Sequence, residues 1–354
     1  MRDAELLLRR SRRPLVIGMG GGGDVVGALA TAEATRLYDG AEPVLGGLTW
    51  ERRPFDPVPG PRAVAEITGA EELAPGILLA GRETRLKDRD VTFAESLMAE
   101  FLGQPTVLID INDGVARVAD GLAQAVERLK ADLVVLIDVG GDVLAHGDEP
   151  GLRSPLCDAI MLAAGGRLST SGQPVLLGVF GLGCDAELTP DQVLARLAIV
   201  AGAGGLCGAR GLTGAVADRL ESAMELVPTE ASAQAVRAFR GASGPTTIRG
   251  GTRTLELSSV AAVTFYLDVD ITINAAGRLA AAVADAGSLE EANDALNALG
   301  VGTELDYERD AAGAVTPVGS EPAAGAVTPA GSEPAARAVT PVGSDPASAV
   351  TPGA

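Results

Sequence analysis

Six short apolar runs, separated by longer segments with helical patterns, constrain the fold of this chain more than any other feature. They are PLVIG at 14–18, EPVLGGL at 42–48, GILLA at 76–80, TVLID at 106–110, ADLVVLID at 131–138 and PVLLGVFG at 174–181. Continuous apolar strands that alternate with helices are typical of a parallel sheet covered on both faces. The sequence therefore predicts an α/β fold with a doubly wound, mostly parallel sheet.

The composition determines which side chains can build the core of such a sheet. Hydrophobic residues make up 47% of the 354 residues but aromatic residues only 3%, so the core must consist mainly of Leu, Val, Ile and Ala. Helix starts are visible as well. Thr189 precedes Pro190 and Gln192 with the spacing of a capping box, and Thr92 precedes Glu95 in the same way. Both positions predict a helix that follows a strand.

A twelve-residue repeat near the C-terminus predicts a domain boundary. Three copies, AGAVTPVGSEPA, AGAVTPAGSEPA and ARAVTPVGSDPA, are followed by the shortened copy SAVTPGA. Two prolines per unit oppose a helix, and the unit has almost no large apolar side chain with which to offset ordering entropy. We expect one large α/β domain over 1–310, with a possible small subdomain or added strands over about 245–310, and a disordered tail over 311–354.

Charge and cysteine usage exclude several classes of function. The formal net charge of −19 opposes binding to nucleic acid or to anionic membrane surfaces. Cys157, Cys184 and Cys207 are too few and too widely spaced for a disulfide framework or a two-knuckle zinc site. No run resembles a secretory signal or a membrane span. We expect a cytoplasmic protein that binds neither nucleic acid nor membrane, and a homo-oligomer is possible.

The strongest candidate for a ligand site is the glycine-rich turn in VIGMGGGGDVVGA, where the first apolar run passes into a helix. Its central residues are Gly20, Gly21, Gly22, Gly23 and Asp24. Glycine lets backbone amides approach a ligand closely, and the N-terminus of a helix favours an anion such as phosphate. The turn also matches the dinucleotide pattern GxGxxG, with Glu51 as a conceivable ribose contact. A tight turn without a ligand remains the alternative.

Two further turns repeat this combination of glycine and aspartate. The fifth apolar run ends at Asp138 and is followed by Gly140, Gly141 and Asp142. The sixth is followed by Gly183 and Asp185. Strand ends of this kind lie along one edge of an open α/β sheet, where ligands bind. Carboxylates are ligands for a magnesium-type ion. We expect Asp24, Asp138, Asp142 and Asp185 to hold Mg²⁺, although each alone could simply stabilise a turn.

Other polar residues are candidates for the same site. His146 is the single histidine and is a candidate acid or base, with a solvated or capping role as the alternative. Arg52 and Arg53 could neutralise an anion, and Trp50 could stack on a ring or pack into the core. Arg153, with Ser154 and Asp158, is a secondary candidate.

The chain resembles the domain-of-unknown-function 1152 family. The resemblance covers roughly residues 12–309 and rests on GMGGGGDVVGA, GGLTWERRPFDPVPGPR, DVGGDVLAHGDEPGLRSPLCDA, GLGCDAELTPD and GTELDYE, which occur in this order. It implies a Rossmann-like α/β domain and no particular activity.

Three functions are consistent with these residues. The leading hypothesis is a metal-assisted enzyme that acts on a small anionic metabolite, phosphorylated or nucleotide-like, cradled by the glycine-rich turn. Its carboxylates would hold the cation or act as base, and its arginines would neutralise the far end of the ligand. A nicotinamide or flavin oxidoreductase and a non-catalytic sensor of small ligands are the alternatives.

Overall fold

The computed structural model describes residues 2–313, which contain eleven strands and twelve α-helices. The strands are β1 Pro14–Gly18, β2 Val44–Leu48, β3 Ile67–Ala74, β4 Ile77–Leu86, β5 Thr106–Ile109, β6 Leu133–Val139, β7 Val175–Phe180, β8 Leu206–Gly211, β9 Gly244–Ile248, β10 Arg253–Leu257 and β11 Val263–Asp268. The helices are α1 Ala4–Arg10, α2 Asp24–Ala34, α3 Ala94–Leu102, α4 Gly114–Leu129, α5 Pro155–Thr170, α6 Pro190–Gly202, α7 Gly214–Met224, α8 Ala231–Phe239, α9 Val269–Ala275, α10 Arg278–Val283, α11 Leu289–Ala298 and α12 Glu304–Gly313.

Nine of these strands form one sheet in the order β3-β4-β5-β2-β1-β6-β7-β11-β8. The five central strands, from β5 to β7, are all parallel. Strands β3 and β4 extend the sheet antiparallel at one side, and β11 is antiparallel to both of its neighbours at the other. The predicted Rossmann-like, doubly wound and mostly parallel sheet is confirmed.

The core lies in two layers, one on each face of the sheet. Leu15 and Ile17 of β1 point into the layer that includes α4, α5, α10 and α11, whereas Val16 points into the layer that includes α2, α3, α7 and α8. All five residues of β1 are buried, because a central parallel strand has helices on both faces. This is why the strand reads as a continuous apolar run.

The strand order creates a crevice for a ligand. From β1 the chain proceeds to β2 and β5 on one side, and then returns to form β6 and β7 on the other side. The helices that follow β1 and β6 therefore diverge, and the carboxyl ends of these two strands flank a gap. Gly18 ends β1 and Val139 ends β6, so the glycine-rich turn and the first acidic turn face each other there.

The structure differs from the sequence prediction at the edges. The run 76–80 forms β4 as predicted, but β4 is antiparallel to β5, and its partner β3 alternates too weakly in hydrophobicity to be recognised. The segment 245–273 divides into a separate hairpin of β9 with β10 and a strand, β11, of the main sheet.

The helix starts also differ in part. The capping box at Thr189 and Gln192 is confirmed. The one at Thr92 is wrong, because Phe93 precedes α3 and Glu95 is buried.

The C-terminal helix α12 continues to Gly313, three residues past the predicted end of the folded domain. The rest of the predicted tail, residues 314–354, lies outside the described residues. Within residues 2–313, none of the helices has the length and apolar character needed to cross a lipid bilayer.

Candidate functional site

The crevice at the carboxyl ends of β1 and β6 is a cavity of about 980 Å³. Its walls come from the glycine-rich turn, the loop after β2, the turns after β6 and β7, the starts of α3, α5 and α8 with the residues just before them, and the β9–β10 hairpin. The polar and glycine residues among them include Gly20, Gly21, Gly22, Gly23, Asp24, Glu51, Arg52, Arg53, Asp142, Ser154, Asp158, Asp185, Glu187, Thr229 and Arg249.

Packing within the protein explains most glycines of the first turn. A Cβ atom at Gly20 would overlap the Asp24 carboxylate, and one at Gly23 would lie 2.7 Å from Thr229 Cβ. Gly21 and Gly22 have φ angles of +80° and +53°, which disfavour other residues. The Gly20 amide donates to Asp24 Oδ2 at 3.1 Å. The Gly22 amide donates to the Trp50 carbonyl at 3.0 Å, so the glycine amides of this turn without a described acceptor are those of Gly21 and Gly23.

Five buried carboxylates form a group that we call the acidic cluster, and all of them except Asp138 line one wall of the cavity. They are Asp138 at the end of β6, Asp142 in the turn that follows, Asp158 in the first turn of α5, and Asp185 and Glu187 in the loop after β7. Their oxygens form two triads in which the chosen atoms lie within 4.8 Å of one another. One triad is Asp138, Asp142 and Asp158, and the other is Asp142, Asp185 and Glu187.

Most of the acidic cluster lacks compensating partners among the described residues. Asp138 Oδ2, Asp158 Oδ1 and Asp185 Oδ2 are buried and accept no hydrogen bond. Within residues 2–313, Glu187 is the only member that forms an ion pair, with Arg253 at 3.3 Å, and it also accepts hydrogen bonds from the Ser154 amide and hydroxyl. Buried carboxylates without donors are unfavourable unless they are protonated or bind a cation.

Burial governs how these carboxylates titrate. It raises the pKa of Asp138 to about 8, and the charge of nearby Asp24 adds to the shift. Burial also raises the pKa values of Asp142, Asp158 and Asp185 well above their usual range, and in each case a neighbouring carboxylate adds to the effect. These four aspartates therefore retain protons at neutral pH unless a cation replaces them.

Asp24 lies in the first turn of α2, partly exposed in the cavity, and belongs to neither triad. Burial raises its pKa to about 7, although the positive charge of Arg52 opposes the shift. A carboxyl group that titrates near neutral pH can both accept and donate a proton. The structure thus separates Asp24 from the other three residues predicted to bind metal.

Arg52 and Arg53 line the cavity, as does Arg249 from the β9–β10 hairpin. Arg52 Nη2 donates to the Gly20 carbonyl at 2.6 Å, and this group forms an ion pair with Glu304 at 3.3 Å. Trp50 is fully buried and lies 4.4 Å below the Arg52 guanidinium. The tryptophan therefore supports Arg52 from inside the core and does not line the cavity.

His146 and Arg153 are two further predicted site residues that lie outside the cavity lining. The His146 side chain is 48% exposed, with Nδ1 3.4 Å from Asp148 Oδ1. The Arg153 side chain donates to the carbonyls of Pro150 and Leu152 and stacks over Tyr307.

Three predicted glycines bring the two acidic turns together. Gly140 has φ +137°, and a Cβ there would overlap the Asp185 carboxylate. Gly183 donates to the Gly140 carbonyl at 2.7 Å, and Gly141 packs against Val193. None of the three glycines lines the cavity, and Gly140 affects it through its contact with Asp185.

The sequence suggested Glu51 only as a ribose contact and Glu95 only as part of a capping box, and it did not predict that the two form a further pair of buried acids. Burial raises the pKa of Glu51 to about 7, and Glu51 lines the cavity. Burial, and then the charge of Glu51, raises the pKa of Glu95, whose two oxygens have no described donor. Gly47 was the sequence signal for this pair, because a glycine inside a strand indicates a close neighbour. A Cβ at Gly47 would overlap Glu95 Oε1. Glu187 and Arg249 were missed as well, because each stands alone in a loop without a pattern.

Comparison with known proteins identifies a family. No curated protein and no solved structure matches the chain. The sequence model of the family described as Protein of unknown function (DUF1152) matches residues 15–312, which is well over half of the chain. The chain therefore belongs to the DUF1152 family.

Proposed function

We propose that this protein is a metal-assisted enzyme that acts on a small anionic metabolite, phosphorylated or nucleotide-like, bound in the 980 Å³ cavity. The observation that carries the proposal is the acidic cluster: four of its five buried carboxylates have no cationic partner among the described residues. A divalent cation would compensate them and could at the same time bind an anionic ligand.

The ligand atoms favour magnesium or manganese over zinc. All five members of the acidic cluster offer carboxylate oxygens, which suit hard cations, whereas zinc sites in proteins usually include nitrogen or sulfur. Asp138, Asp142 and Asp185 keep the metal-binding role that the sequence predicts. We add Asp158 and Glu187 to them.

The opposite wall supports an anionic substrate. Arg53 is exposed at the cavity and forms no ion pair with a described residue, while Arg249 pairs with Glu230 at the longer distance of 3.6 Å. The amides of Gly21 and Gly23 donate to no described acceptor. A ligand of nucleotide size matches the cavity volume, since small-molecule sites range from about 300 to 1,000 Å³. Its charged end would lie between these groups and the cation.

Asp24 is the residue we assign to proton transfer. It lies in the cavity outside both triads, and its pKa of about 7 suits a general acid or base at neutral pH. His146 has no part in this proposal, because its side chain lies outside the cavity lining.

A thermal-shift screen of the full chain tests the proposal. The ligands are nucleotides and sugar phosphates, each with and without Mg²⁺. At a hundredfold excess over its dissociation constant, a true ligand stabilises the fold by about 2.7 kcal/mol. We expect at least one ligand that stabilises only with Mg²⁺, and Asp142→Asn should remove this dependence. Turnover of that ligand should fall by about 100-fold or more in Asp24→Asn. The exposed control Asp285→Asn should change neither result.

The strand order favours one alternative, a nicotinamide or flavin oxidoreductase, because such cofactors bind at this kind of crevice. Against it, Asp24 already takes the Gly20 amide, which a dinucleotide pyrophosphate would need. Stabilisation by dinucleotides without metal would support this alternative. Tight Mg²⁺-dependent binding without turnover would indicate a sensor, and the absence of any Mg²⁺-dependent ligand would contradict the proposal.

A further inference from the structure

The acidic cluster contains two overlapping sets of ligand atoms. Asp142 belongs to both triads, whereas Asp138 and Asp158 belong only to the first, and Asp185 and Glu187 only to the second. Two oxygens on opposite sides of one magnesium ion are about 4.2 Å apart. The described oxygens form no group within 4.8 Å that includes all five residues. A single ion therefore cannot use the whole cluster.

Each triad has its own unsatisfied oxygen atoms. In the first, Asp138 Oδ2 and Asp158 Oδ1 accept no hydrogen bond from the part of the chain that the structure describes, and in the second, the same is true of Asp185 Oδ2. All three residues are more than nine-tenths buried. Asp158 and Asp185 also line the cavity, so their carboxylates are accessible to an ion that enters it. One cation in either triad would leave buried, unpaired oxygens in the other.

The charge balance of the acidic cluster also indicates two ions. When ionised, the five carboxylates carry five negative charges, and Arg253 offsets one of them through Glu187. Two divalent cations offset the remaining four. One cation would leave two uncompensated negative charges in a buried cluster, which is costly in a medium of low dielectric constant.

We propose that the acidic cluster binds two divalent cations of the magnesium or manganese type, one in each triad, with the Asp142 carboxylate bridging them. This inference rests on the proposed function, which by itself requires only one ion. In paired-cation sites the two ions lie about 3.5–4 Å apart and stabilise both the attacking and the leaving oxygen of a displacement, as in phosphatases and nucleases. A paired cation site would therefore favour a substrate that carries a phosphate group.

Manganese binding to the full chain tests this inference. Mn²⁺ is titrated into protein freed of metal by a chelator and then dialysed, at moderate salt, and free Mn²⁺ is counted by its electron paramagnetic resonance signal. We expect two tightly bound ions per chain and, at low temperature, the spectrum of two magnetically coupled ions. Asp158→Asn and Asp185→Asn should each leave one ion and abolish the coupling. Asp142→Asn should weaken both sites by at least tenfold.

A control variant tests whether binding is specific to the acidic cluster, and different outcomes contradict the inference alone or the proposed function as well. Asp285→Asn removes a fully exposed carboxylate and should still bind two coupled ions, which distinguishes the cluster from general attraction to an acidic surface. One ion per chain in the unmodified protein, or two ions without coupling, would overturn the inference and leave the proposed function standing. No tightly bound ion at all would overturn both. Circular dichroism of each variant verifies that it is folded.

Discussion

Asp158 is 2% exposed, and no described donor reaches its Oδ1 atom. Burial raises its pKa well above the usual range, so in metal-free protein the carboxylate is destabilising. We expect Asp158→Asn to stabilise the metal-free protein at pH 8 by about 1–3 kcal/mol, because the neutral amide can donate to the neighbouring carboxylates. Urea unfolding in the presence of a chelator measures this change. A loss of stability would mean that Asp158 is structural and would argue against a ligand site.

Single residues also show how far the sequence could predict the site. Asp138, Asp142 and Asp185 were predicted together, because a glycine and an aspartate after an apolar run indicate a strand end at one edge of the sheet. His146 follows the same turn closely, yet it faces solvent, since position in the chain does not determine which side of a loop a side chain takes. Glu187 lies two residues past Asp185 and was missed, because a lone loop glutamate carries no periodic signal.

At the scale of elements, α12, the last helix that the structure describes, positions residues on two walls of the cavity. Glu304 accepts hydrogen bonds from the amides of Leu156 and Cys157 at the start of α5, both at 2.9 Å, and pairs with Arg52. Glu308, one turn later, accepts from the Trp50 indole and from the Gly60 amide. One helix therefore fixes both the start of α5, which carries Asp158, and the arginine of the opposite wall.

This arrangement predicts that Glu304 contributes more to the free energy of unfolding than Glu290 does. Glu304→Ala should destabilise the fold by about 2 kcal/mol, because it removes charge-assisted hydrogen bonds to the start of a buried helix. Glu290→Ala should cost less than about 0.5 kcal/mol, since its ion pair with Arg309 is exposed. Both values come from urea unfolding. Equal losses would show that the contacts of Glu304 do not stabilise the start of α5.

The elements themselves were predictable in the centre of the sheet and less so at its edges. Continuous burial makes β1, β6 and β7 recognisable as apolar runs. The edge strands β3 and β8 have exposed positions and lack this signal. The direction of β4 depends on its pairing with β5, which is a tertiary contact and not a local property.

At the scale of the whole molecule, the raised pKa values make the stability of the metal-free protein depend on pH. Asp24, Glu51 and Asp138 have native pKa values of about 7, 7 and 8, all above those of an unfolded chain near 4. Between these limits the native state binds more protons than the unfolded state. The free energy of unfolding must therefore fall as the pH rises from about 5 to 8.

Divalent metal should reduce this pH dependence. Metal that binds the ionised carboxylates stabilises the native state most at high pH, where fewer protons compete. We expect urea unfolding at pH 5.5, 6.5, 7.5 and 8.5 to show a steady loss of stability with a chelator and a much smaller loss with millimolar Mg²⁺. A metal-free protein that becomes more stable over this range would be inconsistent with protonated buried acids.

The most direct test of the central claim is calorimetric titration of Mg²⁺ into the full metal-free chain at pH 7.5, in two buffers with different enthalpies of ionisation. If the acidic cluster is a cation site, binding is saturable, and the heat differs between the buffers because the cation displaces protons from the carboxyl groups. Asp142→Asn should weaken the saturable binding by at least tenfold, and Asp285→Asn should keep it. No saturable binding by the unmodified chain, or equal binding by Asp142→Asn, would contradict the claim that these buried carboxylates hold a metal ion.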